Sequence, residues 1–419
     1  MDLTPLFRLM AEKKASDLFF TAGAPIQIKI QGTLMAVNQQ ILDPEQVKQC
    51  AYSLMSADRI ARFEQELEMN FGFPMRDVGS FRVNVFRQRG AVAMVIRYIR
   101  LTAPSLEELG VPPMLSELAT LKRGLILIVG ATGSGKSSTL TAMLDHRNAT
   151  KPGHILTIED PLEFMYKHKK SIVNQREVGV DTLSYHDALK NAMREAPDVL
   201  MIGEIRDKDT MQHAITYAQS GHLCVSTLHA NNGYHTMNRV ISFFPEEARP
   251  SFLLDLSVCL RAVISQRLVR GIDGKQLPAV EVMINNNRIA ELIRNGQVNE
   301  IKEAMENSLS KESQTFEQSL YKLYKDGKIT LDEAMLNADS PTNLHWLVSH
   351  GQNQEEDEVT AKPLSTNRLP LHPPILHSRP QGEFLGESVF DFVVEVVEHL
   401  DLAGPALAEF EVGLDAGVE

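Results

Sequence analysis

A glycine-rich run at residues 130–139, GATGSGKSST, has the residue types that a triphosphate-binding loop needs. Gly130, Gly135, Lys136 and Ser137 complete the pattern G-x-x-x-x-G-K-[ST], in which lysine reaches the β- and γ-phosphates and serine ligates Mg²⁺. Glycine lets successive backbone N–H groups face a phosphate, and the helix N-terminus that follows adds positive potential. Chance gives this pattern in roughly one chain of this length in a hundred. The predicted nucleotide-binding residues are Gly130, Ala131, Thr132, Gly133, Ser134, Gly135, Lys136, Ser137 and Ser138.

Carboxylates follow two further apolar runs. In TIEDPLEF (157–164), Glu159, Asp160 and Glu163 come just after a predicted strand, where one could orient water and another could hold Mg²⁺. Glu159 is a candidate metal residue, and which of these acids orients water stays open at this point. In PDVLMIGEIRD (197–207), Glu204 could accept a proton from the attacking water or orient it. The alternative for each is an ordinary solvated acid at a strand end.

The run CVSTLHANN (224–232) leads from another apolar stretch into polar residues. Thr227 and His229 could sense the γ-phosphate, although a lone histidine is more often structural. Together with the loop and Glu204, these residues predict hydrolysis of the β–γ bond of ATP, with positioned water and charge neutralisation by Mg²⁺, lysine and arginine.

Arginines that could reach phosphate from a neighbouring domain or subunit lie in the first hundred residues. Most of them are expected to be solvated surface side chains. The candidates are Arg82, Arg87, Arg89, Arg97 and Arg100.

Short apolar strands separated by helical segments must position these side chains. This alternation predicts a mostly parallel sheet buried on both faces, with ligands at the carboxyl ends of its strands. The predicted strands are Leu125–Val129, Ile155–Ile158, Val199–Ile202 and Leu223–Ser226, and the predicted helices include Ser137–Asp145, Tyr185–Arg194, Asp209–Gln219 and Ala248–Arg267.

The N-terminal part, residues 1–100, reads as a small α+β domain. Residues 2–15 have apolar residues at helical spacing, PIQIKIQGTL alternates like one half-buried strand, and residues 80–99 read as two strands around the turn 88–90. Phe81, Val83 and Val85 should share one face.

Proline and charge mark the other boundaries. We predict a linker at 101–114, an ATPase core at 115–285 and a helical region at 286–350. Residues 351–419 carry 14 acidic against 3 basic residues out of a net charge of −12, which predicts an acidic, disordered tail.

Composition excludes several classes of protein. The acidic balance argues against a nucleic-acid binder, the three separated cysteines argue against a zinc ribbon and for reduced thiols, and no run is long enough to span a membrane. We therefore expect a soluble cytoplasmic protein that could dock on a membrane complex.

The four motifs, GATGSGKSST, TIEDPLEF, IGEIRD and STLHANN, occur in the order and spacing of the secretion ATPases, so residues 1–345 resemble the type IV pilus retraction ATPases of the PilT/PilU family. The resemblance implies a PAS-like N-terminal α+β domain, a RecA-like P-loop ATPase domain with C-terminal helices, and a homo-hexameric ring that binds ATP between domains. It also implies that Glu204 is the Walker B glutamate and that Glu163 and His229 belong to the aspartate and histidine boxes. Arg82 and Arg97 resemble the N-domain arginines.

Two departures resemble the PilU branch more than the PilT branch. REAPD has Ala196 where PilT-like chains usually have aspartate, and RIAELIRNG stands where they have an Ala-Ile-Arg motif. The implied role is a motor for pilus retraction and twitching motility at the inner-membrane pilus base. Its implied partners are a platform protein and, in a mixed complex, a paralogous retraction ATPase.

Two alternatives stay open. A pilus assembly or type II secretion ATPase usually has a long N-terminal extension and a four-cysteine metal site, and this sequence has neither. An accessory ATP-binding regulatory subunit, for which hydrolysis matters little, has the intact Glu204 and His229 against it.

Overall fold

The structure is a computed structural model that describes residues 2–30, 32–76, 78–99, 103–306 and 313–351. It contains two sheets, one in the N-terminal hundred residues and one from residue 124 onward. Within the described ranges, no helix is both long and apolar enough to cross a bilayer. The three cysteines are buried and unpaired as thiols.

The N-terminal sheet has six antiparallel strands in the order β3-β2-β1-β6-β5-β4, with helices packed against it. Its strands are β1 Asp17–Phe20, β2 Gln27–Ile30, β3 Thr33–Ala36, β4 Glu68–Met75, β5 Gly79–Gln88 and β6 Ala91–Ile99. Its helices are α1 Thr4–Lys13, α2 Pro44–Ser53 and α3 Ala57–Glu66.

Side-chain alternation builds this half of the molecule. Phe81, Val83 and Val85 on β5 are fully buried, which confirms the predicted face, and the tight turn between β5 and β6 uses Arg89 and Gly90 with positive φ. The prediction of one strand in PIQIKIQGTL is wrong. The chain reverses near Gly32, where φ is +83°, and forms the hairpin β2–β3.

The second sheet has seven strands in the order β13-β12-β7-β11-β10-β8-β9, parallel except for the β12–β13 pair. Its strands are β7 Gly124–Val129, β8 Gly153–Glu159, β9 Ser171–Glu177, β10 Val199–Glu204, β11 Leu223–Leu228, β12 Leu260–Arg270 and β13 Gln276–Ile284. The helices of this half up to β12 are α4 Leu106–Leu109, α5 Met114–Ala119, α6 Lys136–Thr150, α7 Tyr185–Ala192, α8 Lys208–Gln219, α9 Gly233–Ser242 and α10 Arg249–Cys259.

Burial explains the parallel core. Every residue of β7 and of β11 is buried, as expected for strands covered by helices on both faces. The four predicted strands are confirmed, because β7, β8, β10 and β11 contain them. Their carboxyl ends lie at the same edge of the sheet, so the loops after them converge.

The helix predicted at Ala248–Arg267 is half wrong. α10 ends at Cys259, and the chain continues as β12, which pairs with β7 on one side and with β13 on the other. Ala262, Val263 and Ile264 are fully buried between these neighbours, and β-branched residues suit that environment. Sequence analysis also missed β9 and β13.

Helices dominate the C-terminal region, as predicted for 286–350. They are α11 Asn287–Arg294, α12 Ile301–Glu306, α13 Phe316–Lys325, α14 Leu331–Asn337 and α15 Pro341–Gly351. The predicted linker contains α4 and leads into α5, and the predicted tail lies outside the described residues.

Candidate active site

The glycine-rich loop connects the end of β7 to the start of α6. Gly130 has φ +153° and Gly135 has φ +89°. A Cβ at Gly130 would lie 2.4 Å from the Gln266 carbonyl oxygen, and a Cβ at Gly135 would lie 2.6 Å from Gln266 Nε2. Both positions therefore require glycine for conformation and for space.

Lys136 is the first residue of α6 and is buried. Its Nζ donates hydrogen bonds to the carbonyl oxygens of Gly130 (2.9 Å) and Ala131 (2.8 Å), so the ammonium lies back over the loop. Burial lowers the pKa of Lys136, while the charges of Glu204 and Glu163 oppose that shift. The ammonium therefore lies in the field of two predicted catalytic carboxylates.

A cleft of about 240 Å³ opens between the loop and the carboxyl ends of β8, β10 and β11. Most of the predicted site residues line it. They are Thr132, Gly133, Lys136, Ser137, Glu159, Glu163, Glu204 and His229. Thr227, also considered from sequence, lies there too.

Glu204 is the last residue of β10 and is mostly buried. Its Oε1 is in contact with the guanidinium of Arg206, and its Oε2 lies 3.4 Å from His229 Nε2. His229 follows β11, which pairs directly with β10, and its side chain is 53% exposed. Sheet pairing thus brings two motifs that are 25 residues apart within hydrogen-bonding reach.

Glu159 and Glu163 occupy different environments at the cleft. Glu159 is buried and accepts hydrogen bonds from Thr157 Oγ1 (2.7 Å) and Gln175 Nε2 (3.3 Å). Burial raises the pKa of Glu159 to about 7. Glu163 lines the same cleft but is exposed, so it is the more accessible of the two carboxylates.

The two predicted arginines are not brought to the cleft in this chain. Arg82 Nη1 lies 3.0 Å from Glu177 Oε1 at the end of β9, a contact between the two sheets that lacks hydrogen-bond alignment. Arg97 Nε donates to Asp17 Oδ1 at 2.9 Å within the N-terminal sheet.

Asp160, which was considered from sequence, lies at the site together with two residues that were not, Tyr185 and Gln266. Asp160 and Tyr185 line the cleft, and the buried Tyr185 hydroxyl has no hydrogen-bond partner in the described structure. Gln266 joins the loop from β12, donating to the Ser134 carbonyl (2.8 Å) and accepting from Thr139 Oγ1 (2.7 Å). Only Asp160 carried a signal, since it stands in TIEDPLEF.

The residues present fit a nucleotide and Mg²⁺. Glycines leave the loop backbone open, the buried Ser134 hydroxyl has no partner among the described residues, and Lys136 supplies the only buried ammonium on the cleft wall described here. Ser137 and the carboxylates of the cleft are hard oxygen donors of the type that Mg²⁺ prefers.

Residues 2–299 match the family model described as type II/IV secretion system protein. The chain is 45% identical over 362 residues to the type IV pilus ATPase PilU of Pseudomonas aeruginosa, covering 86% of this chain and 95% of that protein. It is 40% identical over 343 residues to the type IV pilus retraction ATPase PilT of the same organism, covering 82% of this chain and all of that protein.

Among solved structures, the pilus retraction motor PilT with bound ADP superposes with a TM-score of 0.76 at 41% identity, covering 82% of this chain and 99% of that one. The resemblance drawn from the four motifs is therefore confirmed, and so is a mixed α/β fold with a PilT-like ATPase structure.

Proposed function

This chain belongs to the type II/IV secretion system protein family, and from that premise we propose that it is an ATP-hydrolysing motor subunit for type IV pilus retraction and twitching motility. One observation carries the proposal. The Lys136 ammonium and the Glu204 carboxylate line a single cleft, where the loops after neighbouring parallel strands converge. In this arrangement Lys136 would serve as the cation for phosphate and Glu204 as the acid for water.

Each residue would have a distinct task in hydrolysis. The loop N–H groups and Lys136 would bind the β- and γ-phosphates, which leaves the γ-phosphate facing Glu204. Glu204 would orient the attacking water and accept its proton, after its contact with Arg206 opens. His229, 3.4 Å from Glu204, would donate to a γ-phosphate oxygen. Mg²⁺, held by Ser137 with water-mediated help from Glu159 or Glu163, would neutralise charge on the phosphates.

The oligomer and its location are further parts of the proposal. We propose that six copies form a ring, that the N-terminal region is a PAS-like domain, and that the domain boundaries are those predicted from sequence. Arg82 and Arg97 would face a nucleotide bound by another subunit, or by the ATPase domain of the same chain after a domain movement. The ring would act on a platform protein at the inner-membrane pilus base. Support comes from relatives named as pilus ATPases. In this chain Arg82 forms an ion pair with Glu177, which would have to open before Arg82 could contact a nucleotide.

Turnover of ATP by purified protein tests the proposal. Glu204→Gln should lower kcat by about two to three orders of magnitude while nucleotide binding persists, because a positioned carboxylate acts in the transition state. Lys136→Ala should abolish binding as well. Glu247→Gln, an exposed acid outside the cleft, is the matched control. Wild-type turnover in both active-site variants would refute the mechanism.

An accessory role beside a second retraction ATPase is the other candidate. It is favoured by the higher identity to PilU than to PilT and by Ala196, which occupies the aspartate position of PilT-like chains in a left-handed conformation with φ +46°. ATP turnover of this protein alone and mixed with a PilT-type ATPase separates the two roles. A Glu204→Gln strain that retracts pili normally, beside a deletion strain that does not, would establish a scaffold.

A further inference from the structure

The loop that carries His229 is held from its far side. We call residues 229–232 the histidine-box loop. On the cleft side His229 approaches Glu204, whereas on the far side the Asn231 carbonyl accepts a hydrogen bond from Arg267 Nη2 (3.4 Å) and Asn232 Nδ2 donates to Asp339 Oδ2 (2.7 Å). The loop therefore lies between the reaction site and the C-terminal helices.

Arg267 joins the two sides through its guanidinium. Nη1 donates to the Asn337 carbonyl at the end of α14 (2.7 Å), and Nη2 pairs with Asp339 Oδ1 (2.5 Å). The group also stacks over the Phe316 ring at 3.9 Å. Its side chain is 22% exposed, as is that of Asp339, so water competes only in part for these charge-assisted contacts.

Asp339 divides its two oxygens between the partners. Oδ1 faces Arg267 and Oδ2 accepts from Asn232, so one carboxylate in the connection between α14 and α15 contacts both the strand β12 and the histidine-box loop. An arginine fork has fixed geometry, hence a shift of the loop by about an ångström would have to break these contacts or carry Asn337 and Asp339 along.

A second anchor fixes the residue after the loop. The Gly233 N–H donates to Glu281 Oε1 (2.7 Å), and the Ser265 hydroxyl donates to the same oxygen (3.0 Å). Glu281 lies on β13 and is buried, so the start of α9 is tied to the sheet. The sheet thus holds the chain just after the histidine-box loop, while Arg267 and Asp339 hold Asn231 and Asn232 within it.

We infer that Arg267 and Asp339 are positioning residues that couple His229 to helices α14 and α15. The inference rests on the proposed function of His229. Contact of the loop with a γ-phosphate would shift the C-terminal helices, and the position of those helices would set how well His229 faces the phosphate. Arg267 itself touches no residue that lines the cleft in the contacts described above.

The test combines steady-state kinetics with hydrogen–deuterium exchange. Arg267→Met should lower kcat about threefold to thirtyfold, the range expected for residues that modulate coupling between sites, with the KM for ATP within about twofold of the wild type. Arg267→Lys keeps the charge but loses the forked guanidinium, so its kcat should lie between those of the wild type and Arg267→Met. Arg270→Met, an exposed arginine on the same strand, is the control.

Hydrogen–deuterium exchange gives a result that would not change if Arg267 had only a structural role. Addition of a non-hydrolysable ATP analogue, which keeps a γ-phosphate, should slow amide exchange in residues 331–351 of the wild type, and Arg267→Met should lose that effect while still binding the analogue. If Arg267→Met does not fold, Asp339→Asn, an isosteric change, is expected to give the same two results. Unchanged kcat together with wild-type exchange would overturn the inference, as would equal losses of kcat, ADP binding and stability.

The exchange arm also separates the two proposals. Protection of residues 331–351 by the non-hydrolysable ATP analogue that requires Arg267 would support the coupling even if the protein hydrolyses no ATP. Loss of turnover in Glu204→Gln with no Arg267 effect would support the proposed function and overturn the coupling.

Discussion

Replacing Glu281 with glutamine should make the stability of this protein less dependent on pH. Glu281 is buried on β13, and burial raises its pKa from an ordinary 4.5 to about 7, against the opposing hydrogen bonds from Gly233 and Ser265. Between these two values the folded protein holds a proton that the unfolded chain has released. Stability must therefore fall as the pH rises from about 4.5 to about 7, and stay level above that.

The magnitude follows from the size of that shift. One pKa unit corresponds to about 1.4 kcal/mol, so moving from 4.5 to about 7 corresponds to roughly 3 kcal/mol of unfolding free energy. Glutamine keeps a carbonyl that can accept from Gly233 and has no proton to lose. The Glu281→Gln protein should be more stable than the wild type by about 1 kcal/mol at pH 5 and by about 3 kcal/mol at pH 8.

Urea unfolding followed by circular dichroism at pH 5, 6, 7 and 8 measures this difference. Other titrating groups are common to both proteins and cancel when the free energies are subtracted. Glu247→Gln, which changes an exposed carboxylate to an amide, is the control for the chemical change at a site outside the core. A level difference for Glu281→Gln across the same range, or one that shrinks as the pH rises, would refute the reasoning.

Three further substitutions test the site and its surroundings. Gly135→Ala should destabilise the protein by about 1–3 kcal/mol more than Gly133→Ala. Both glycines have positive φ, but only at Gly135 would a Cβ lie 2.6 Å from a neighbouring side chain. Thermal unfolding of both variants measures the difference, and equal losses of stability would contradict the prediction. Ser137→Ala should raise the Mg²⁺ concentration needed for half-maximal turnover by about tenfold. Its affinity for a fluorescent nucleotide without Mg²⁺ should stay unchanged, and a loss of that metal-free affinity would mean that the substitution disturbs the loop itself. Ala196→Asn should stabilise the protein by about 0.5–1 kcal/mol in urea unfolding, because asparagine tolerates the left-handed backbone at φ +46°, and a destabilised variant would argue against strain there.

The convergence of the candidate site residues could be predicted from sequence where residue type, order and strand ends agreed. The loop, Glu204 and His229 each follow a short apolar run, and the runs are neighbouring parallel strands, so their ends had to meet. Nothing local in the sequence could place Tyr185 or Gln266, because each reaches the site through packing between distant segments.

Tertiary contacts explain the errors in secondary structure. Residues 260–267 have enough helix-compatible residues to extend α10, yet pairing with β7 and β13 decides for a strand. The N-terminal hairpin was missed for a different reason, since alternation continues across Gly32 and conceals the reversal.

The arginine predictions show another limit. Arg82 and Arg97 stand opposite each other on the paired strands β5 and β6, and their partners in this chain are Glu177 and Asp17. Which carboxylate or phosphate an exposed arginine meets depends on how sheets and subunits pack, and one chain's residue order does not encode that.

Consecutive residues on β12 face opposite ways, and this has a mechanical consequence. Gln266 donates a hydrogen bond to the glycine-rich loop after β7, while its neighbour Arg267 donates to the carbonyl oxygens of Asn231 and Asn337. A shift of this strand at residues 266 and 267 would therefore reach the glycine-rich loop and the connection between α14 and α15 at the same time.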